Sequence, residues 1–174
     1  MFSSDDKVYC VLHSVDNGLS STRLVYYMYL YQLAGLDFNF RYSISTRGIK
    51  CKGLDEHISN MINYDLICLE DGEIKRTELG YFSYIEFPLL LSEWDFIEKF
   101  KAELDSLSDD DLYFIVLANI LVENVQTKYG VEGLITRKSD IVASLTALTR
   151  DYDDTKLNYA IKFGRTYKER LKNV

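Results

Sequence analysis

The sequence predicts a mainly helical chain with a small β wing, an α+β protein. Three observations lead there. Segments bounded by capping residues carry apolar side chains at helical spacing, one Asp-Gly pair sits between two short strand-like runs, and beyond Thr77 almost every segment reads as helix. With 174 residues, 47% hydrophobic content, nine Gly and one Pro, the chain can bury a real core without a disulfide or metal staple.

A first helix is expected from Asp5 to about Val15. Residues 23–35 read RLVYYMYLYQLAG, with four tyrosines on one segment. Ser20, Ser21 and Thr22 offer an N-cap and Gly35 a stop, which places a helix from about Ser21 to Ala34. Leu24, Tyr27, Met28 and Tyr31 form one apolar stripe; Val25, Tyr26, Tyr29 and Leu33 form a second, the mark of a helix covered on most of its circumference. Four rings on one helix exceed what a small core readily absorbs. Tyr26 and Tyr29 are therefore candidate protein-interface residues, expected to be partly exposed.

Phe38, Phe40, Tyr42 and Ile44 then alternate with polar neighbours, as in a half-buried strand, leaving Asn39, Arg41 and Ser43 on the other face. A short helix opens at Gly53, with Leu54, Ile58, Met61 and Ile62 at helical spacing, and ends near Tyr64 and Asp65. Asp71-Gly72, between Cys68-Leu69 and Ile74, is a two-residue hairpin signal. Helix, helix, hairpin is the order of a winged helix-turn-helix, with the helix before the hairpin in the recognition position and Glu70 to Lys75 as the wing.

Pro88 suits the first turn of the following helix, which runs through Phe100 to Leu107 with Leu90, Trp94, Ile97 and Phe100 on one side. Ser108-Asp109-Asp110-Asp111 has the form of a capping box, its carboxylates on the positive end of the next helix dipole. That helix, DLYFIVLANILVENV, is apolar nearly all round and should centre the C-terminal half. Two more helices, Lys138 to Thr149 and Asp153 to Lys172, end the chain. No Pro/Gly/Ser-rich linker divides it, so a winged-helix part, residues 1–83, and a helical extension, residues 84–174, should share one core.

The net charge is -7, which argues against a protein that coats nucleic acid. Its distribution is uneven. Glu86 to Glu132 holds eleven acids and three bases, 3 - 11 = -8, whereas Arg137 to Val174 holds nine bases and five acids, 9 - 5 = +4. Between Arg41 and Gly53, RYSISTRGIKCKG has four bases and no acid. In a winged helix, Arg41, Arg47, Lys50 and Lys52 are placed for phosphates, His57 and Asn60 for base edges or a partner, and Lys75 and Arg76 for bracing from the wing. Asp55 and Glu56 at the start of the same helix oppose an anion there. The basic face of the last helix, with Lys162, Arg165, Lys168, Arg170 and Lys172, is more simply read as pairing with the acidic middle.

Catalytic chemistry has little to rest on. Cys10 and His13 make one C-x-x-H pair with no second at zinc-finger spacing, and His57 is the other histidine. Capping accounts for Asp109 to Asp111 without a metal. Neither a Gly-rich phosphate loop nor a nucleophile elbow nor an H-E-x-x-H run occurs. No catalytic, metal or cofactor-binding residue is assigned. An odd set of three cysteines, an N-terminus unlike a signal peptide and apolar runs too short to span a bilayer lead to the expectation of a cytoplasmic protein away from membranes.

This order resembles the bacterial winged-helix group that includes the YwgA-like proteins, SocA-type antitoxins and the Panacea domain. There, a helix with a K-L-x-K-L/I-x-Y-L-like motif precedes an aromatic strand, a Gly-containing loop, a short helix and a hairpin closing on T-x-x-G. The counterparts here read TRLVYYMYLYQLAG, FNFRYSIST with RG, LDEHISNMINYDLI and LEDGEIKRTELG. The last helices also resemble the tail of the YwgA-like members. The usual Y-G-P-Y-S loop is replaced by TRGIKCKG, without the Pro or the aromatic.

The resemblance implies a non-catalytic domain of toxin neutralisation, phage-associated operons and defence systems, gripping another protein and in some members regulating DNA. The expectation is a non-enzymatic protein-interaction module: an accessory subunit or antitoxin-like adaptor whose partner is a toxin or defence-complex subunit. The rival expectation is a dimeric DNA-binding transcriptional regulator that reads a groove with the helix from Leu54 to Tyr64.

Overall fold

The computed structural model describes residues 5–36, 38–85, 91–149 and 152–171. They form a mostly helical α+β protein with two small antiparallel sheets. Pro88 and Leu90 lie outside the described residues, as do the side chains of Trp94, Arg165, Lys168 and Arg170 and all of Lys172.

Helix α1 (Asp5–Ser14) leads through strand β1 (Leu19–Ser20) into α2 (Ser21–Ala34). The Ser20 hydroxyl accepts from the Arg23 amide at 3.2 Å and so caps α2. At the other end Gly35, at φ 124°, donates to Tyr31 and Gln32 carbonyls. Nine of the fourteen residues of α2 are buried, because α1, α6 and α8 all pack on it.

The chain next forms a hairpin of β2 (Tyr42–Ser45) and β3 (Gly48–Cys51), with Tyr42 opposite Cys51 and Ile44 opposite Ile49. The strand expected from Phe38 begins only at Tyr42. Upstream, the Gln32 side chain takes the place of a strand partner: its Nε2 donates to the Phe40 carbonyl at 3.1 Å and its Oε1 accepts from the Phe40 amide at 2.9 Å. The basic stretch read as a strand leading into a loop is thus a two-stranded ribbon turned at Thr46-Arg47.

Helix α3 (Lys52–Asn63) buries Leu54 and Met61 and leads into β4 (Ile67–Glu70) and β5 (Glu73–Arg76). Asp71 at φ 53° and Gly72 at φ 82° make the turn with both central residues left-handed, the geometry whose twist suits a tight hairpin. β1 adds to β5, with Leu19 opposite Ile74, so this sheet has the order β1-β5-β4.

Helix α4 (Glu78–Ile85) starts at Thr77, whose hydroxyl accepts from the Gly80 amide at 3.0 Å while donating to the Asp65 carbonyl. A Cβ at Gly80 would stand 2.0 Å from the Leu66 carbonyl oxygen, so only glycine lets α4 lie this close to the start of β4. The T-x-x-G run is therefore a structural clasp.

Helices α5 (Leu91–Asp105), α6 (Asp109–Thr136), α7 (Lys138–Leu148) and α8 (Asp154–Leu171) complete the chain. Ser108 caps α6, accepting from the Asp111 amide at 3.1 Å. The segment Leu112 to Ile120 is buried apart from half-buried Tyr113. Gly130, at φ 72° and ψ -175°, breaks the helical path near the end of α6, and Val131 to Thr136 continue after the kink. Asn119, buried in α6, donates to the Ala160 carbonyl of α8 at 3.0 Å and fixes how the two helices register. One apolar cluster runs from Val8 in α1 to Ala160 in α8, so the N-terminal and C-terminal halves share a core. No described helix is long and apolar enough to cross a membrane.

Candidate functional site

The residues singled out from the sequence separate into three environments. The first is the outer face of the β2-β3 ribbon. Side chains alternate along a strand, so Tyr42, Ile44, Ile49 and Cys51 point to the core while Ser43 and Lys50, paired across the strands, point out. Arg41 and Arg47 are exposed just before β2 and in the turn. Lys52 begins α3, almost wholly exposed, with its ammonium 3.7 Å from Glu56. Four cations thus share one hairpin and its base.

The second environment is the helix that sequence reasoning placed as a reader. Asn60 is exposed, but His57 is half-buried, its ring edge-on to Phe40 with centroids 6.3 Å apart. Burial, helped by the nearby Lys7 ammonium, holds its pKa below 6.5 and keeps the imidazole neutral at neutral pH. Asp55 and Glu56 are exposed on the first turn. The outward face of α3 therefore offers an anion less than its position promised.

The third is the interior, which claims three of the predicted contact residues. Arg76 is not a wing contact: its side chain is 7% exposed, pairs with Asp16 and stacks 5.0 Å from the Tyr81 ring centroid. Sixty residues separate Arg76 from Asp16, a proximity that no local pattern encodes. Tyr26 and Tyr29 are not interface residues of the expected kind either, being 5% and 4% exposed. Helix α6 covers them: Tyr26 lies 6.1 Å from the Tyr113 ring, and the Tyr29 hydroxyl donates to Glu123 at 3.0 Å. Lys75 stays at the surface, 3.2 Å from Glu70, and this hydrogen bond raises its pKa.

The structure exposes a different set of large apolar side chains. Ile62 (42%) and Tyr64 (57%) stand at the end of α3, Leu69 (63%) on β4, and Leu79 (50%), Tyr81 (49%) and Phe82 (56%) on α4. These segments meet directly: the Thr77 amide donates to the Leu66 carbonyl at 3.1 Å, and Gly80 lies over that same carbonyl. Tyr81 and Phe82 stand edge-on to one another with ring centroids 6.1 Å apart, and further exposed apolar residues, Tyr129, Val131 and Ile135 among them, lie on α6. The signal of the α4 residues in the sequence is L-G-Y-F after the hairpin: with Gly80 turned inward against Leu66, its large neighbours on α4 are directed away.

A polar cleft of about 510 Å³ lies between β1, α2 and the α5-α6 connection. Four of its charged groups, Arg23, Lys101, Asp105 and Asp109, serve the fold. Arg23 pairs with Asp109 and donates to the Leu104 and Leu107 carbonyls at 3.0 and 2.8 Å. Lys101 pairs with Asp105 at 2.7 Å, and the Tyr27 hydroxyl donates to Asp105 at 2.6 Å. Among the described residues, no group of three or more His, Cys, Asp or Glu side chains is placed to hold a metal ion. No family model matches the chain, and no curated protein or solved structure is significantly similar to it.

Proposed function

We propose that this protein is a non-enzymatic winged-helix interaction module, an accessory subunit or antitoxin-like adaptor of a bacterial or phage conflict system, acting in the cytoplasm on a protein partner. The winged-helix reading is supported by the order α1-β1-α2-α3-β4-β5 and by the sheet order β1-β5-β4, in which a short strand after the first helix pairs with the second strand of the hairpin and makes it central. The β2-β3 ribbon is an insertion between the two helices of the motif.

The observation that carries the interaction reading is the set of six exposed large apolar residues that α3, β4 and α4 carry, from Ile62 to Phe82. Large apolar side chains gathered on one surface mark protein docking sites, whose centres are depleted in charge and rich in aromatics. A dimeric regulator reading DNA with α3 draws less support, since Asp55 and Glu56 occupy the first turn of that helix and His57 carries no charge.

The test is co-expression of the tagged protein with the genes that flank it. A neighbouring product is expected to co-purify with the wild type and to be lost with Leu69→Asp and Phe82→Asp together, while the circular dichroism of the variant matches wild type. A wild type that elutes alone and monomeric from those co-expressed products would overturn the reading.

A further inference from the structure

From the β2-β3 ribbon we infer a second binding surface, independent of the apolar one: its outer face contacts the phosphate backbone of duplex DNA. The first support is charge. Arg41, Arg47, Lys50 and Lys52 are all exposed, and no acid lies between Arg41 and Gly53. The second is what the face lacks. Its apolar side chains, Tyr42, Ile44, Ile49 and Cys51, all point inward, so the outer face carries only charged and hydroxyl groups. A protein interface is built around an apolar centre, whereas DNA interfaces are polar and strongly positive. The Ser43 hydroxyl beside Lys50 adds a neutral donor of the kind that phosphate oxygens accept.

The third support is shape. Four residues per strand make a ribbon about 13 Å long, two strands about 5 Å apart. The major groove of B-form DNA, about 12 Å wide, admits such a ribbon, whereas the narrow major groove of A-form RNA does not. The Ser45 hydroxyl accepts from the Arg47 amide at 3.2 Å and donates to the Gly48 carbonyl at 2.9 Å, so the turn that presents Arg47 is braced from within. The overall charge of -7 does not prevent this contact. At about 0.1 M salt the Debye length is about 10 Å, so distant acids are screened while phosphates in contact with the ribbon are not. Asp55 and Glu56 sit at the ribbon's base, and Glu56 already faces Lys52.

The test is fluorescence anisotropy with a labelled, mixed-sequence DNA duplex across a salt series. Wild type is expected to bind with a log-log salt slope of about -3, set by three to four phosphate contacts. Arg47→Gln with Lys50→Gln removes two exposed cations and should flatten that slope by about two units, while Ser43→Lys should steepen it by about one. Lys128→Gln, far along the chain, should leave it unchanged. The inference is overturned by no binding at low salt, by a double variant that binds as wild type does, or by equal binding of duplex RNA. Circular dichroism matched to wild type ensures that each readout reports the surface.

Discussion

The Tyr29 hydroxyl donates to the Glu123 carboxylate at 3.0 Å, bonding α2 to α6 at the edge of the core. Behind it, the Tyr29 ring packs edge-on against Tyr42 at 5.0 Å, so one side chain ties together α2, α6 and the β2-β3 ribbon. Tyr29→Phe keeps the ring and removes only the donor, and should cost about 0.5–1.5 kcal/mol. Tyr29→Ala empties a core position and should cost about 3–5 kcal/mol. Urea unfolding of the two variants separates the terms; equal losses would show that the ring contributes nothing beyond its hydroxyl.

Arg23 performs a different joining task. Its guanidinium pairs with Asp109 and donates to two carbonyls, Leu104 in the last turn of α5 and Leu107 in the connection to α6. A planar fork serves these several acceptors at once, and an ammonium does not. Arg23→Ala should therefore destabilise by about 1–3 kcal/mol, and Arg23→Lys should recover less than half of that. Recovery of full stability by lysine in a urea titration would mean that charge alone, and not the fork, matters.

The elements easiest to read from the sequence are those set by neighbours in the chain. Ser20 and Gly35 bound α2 where they stand, Ser108 caps α6, and Asp71-Gly72 turns a hairpin, because each acts within four residues. The β2-β3 ribbon was half legible. Its inward and outward faces follow from alternation, but the return strand hides in a basic run whose turn rests on Gly48 at φ 110°. The burial of Tyr26 and Tyr29 was not legible. Tyr113 and Glu123, which cover them, lie more than eighty residues along the chain, and nothing local announces that α6 crosses there. The exposed apolar residues of α4 escaped for the same reason, since their outward direction is defined by what Gly80 touches.

Gly80 itself yields a sharp expectation. A methyl group at this position meets the Leu66 carbonyl at 2.0 Å, a backbone atom that cannot rotate away. Gly80→Ala must push α4 off the start of β4 and should destabilise by about 1–3 kcal/mol, against the usual helix-favouring effect of alanine. Thr77→Val, which removes the hydroxyl that caps α4 and bonds Asp65, should weaken the same junction. Thermal melts of both variants check this. Gly80→Ala at or above wild-type stability would place the helix differently from the structure.

The tyrosine-rich helix also fixes the alkaline limit of the fold. Burial raises the phenol pKa of Tyr26 to about 12, with the charges of Asp109 and Asp110 adding to it. Burial likewise pushes Tyr27, Tyr29, Tyr31 and Tyr42 above the ordinary value of 10.0, with Asp105 reinforcing the shift for Tyr27 and Glu123 for Tyr29. In the unfolded chain these phenols lose their protons near pH 10, while in the folded protein they keep them. Above that pH the unfolded state binds fewer protons than the native one, so stability must fall as pH rises, by the sum over all five rings. Below it both states are protonated and the contribution is fully present. Stability should therefore show no tyrosine-dependent slope up to about pH 9 and then drop steeply, with phenolate absorbance rising together with loss of helical ellipticity. Tyr29→Phe should make the alkaline slope shallower, since one of the five coupled groups is gone. Phenolate absorbance that rises for all tyrosines while ellipticity stays intact would show that these rings are open to hydroxide, contrary to their burial beneath α6 and α8.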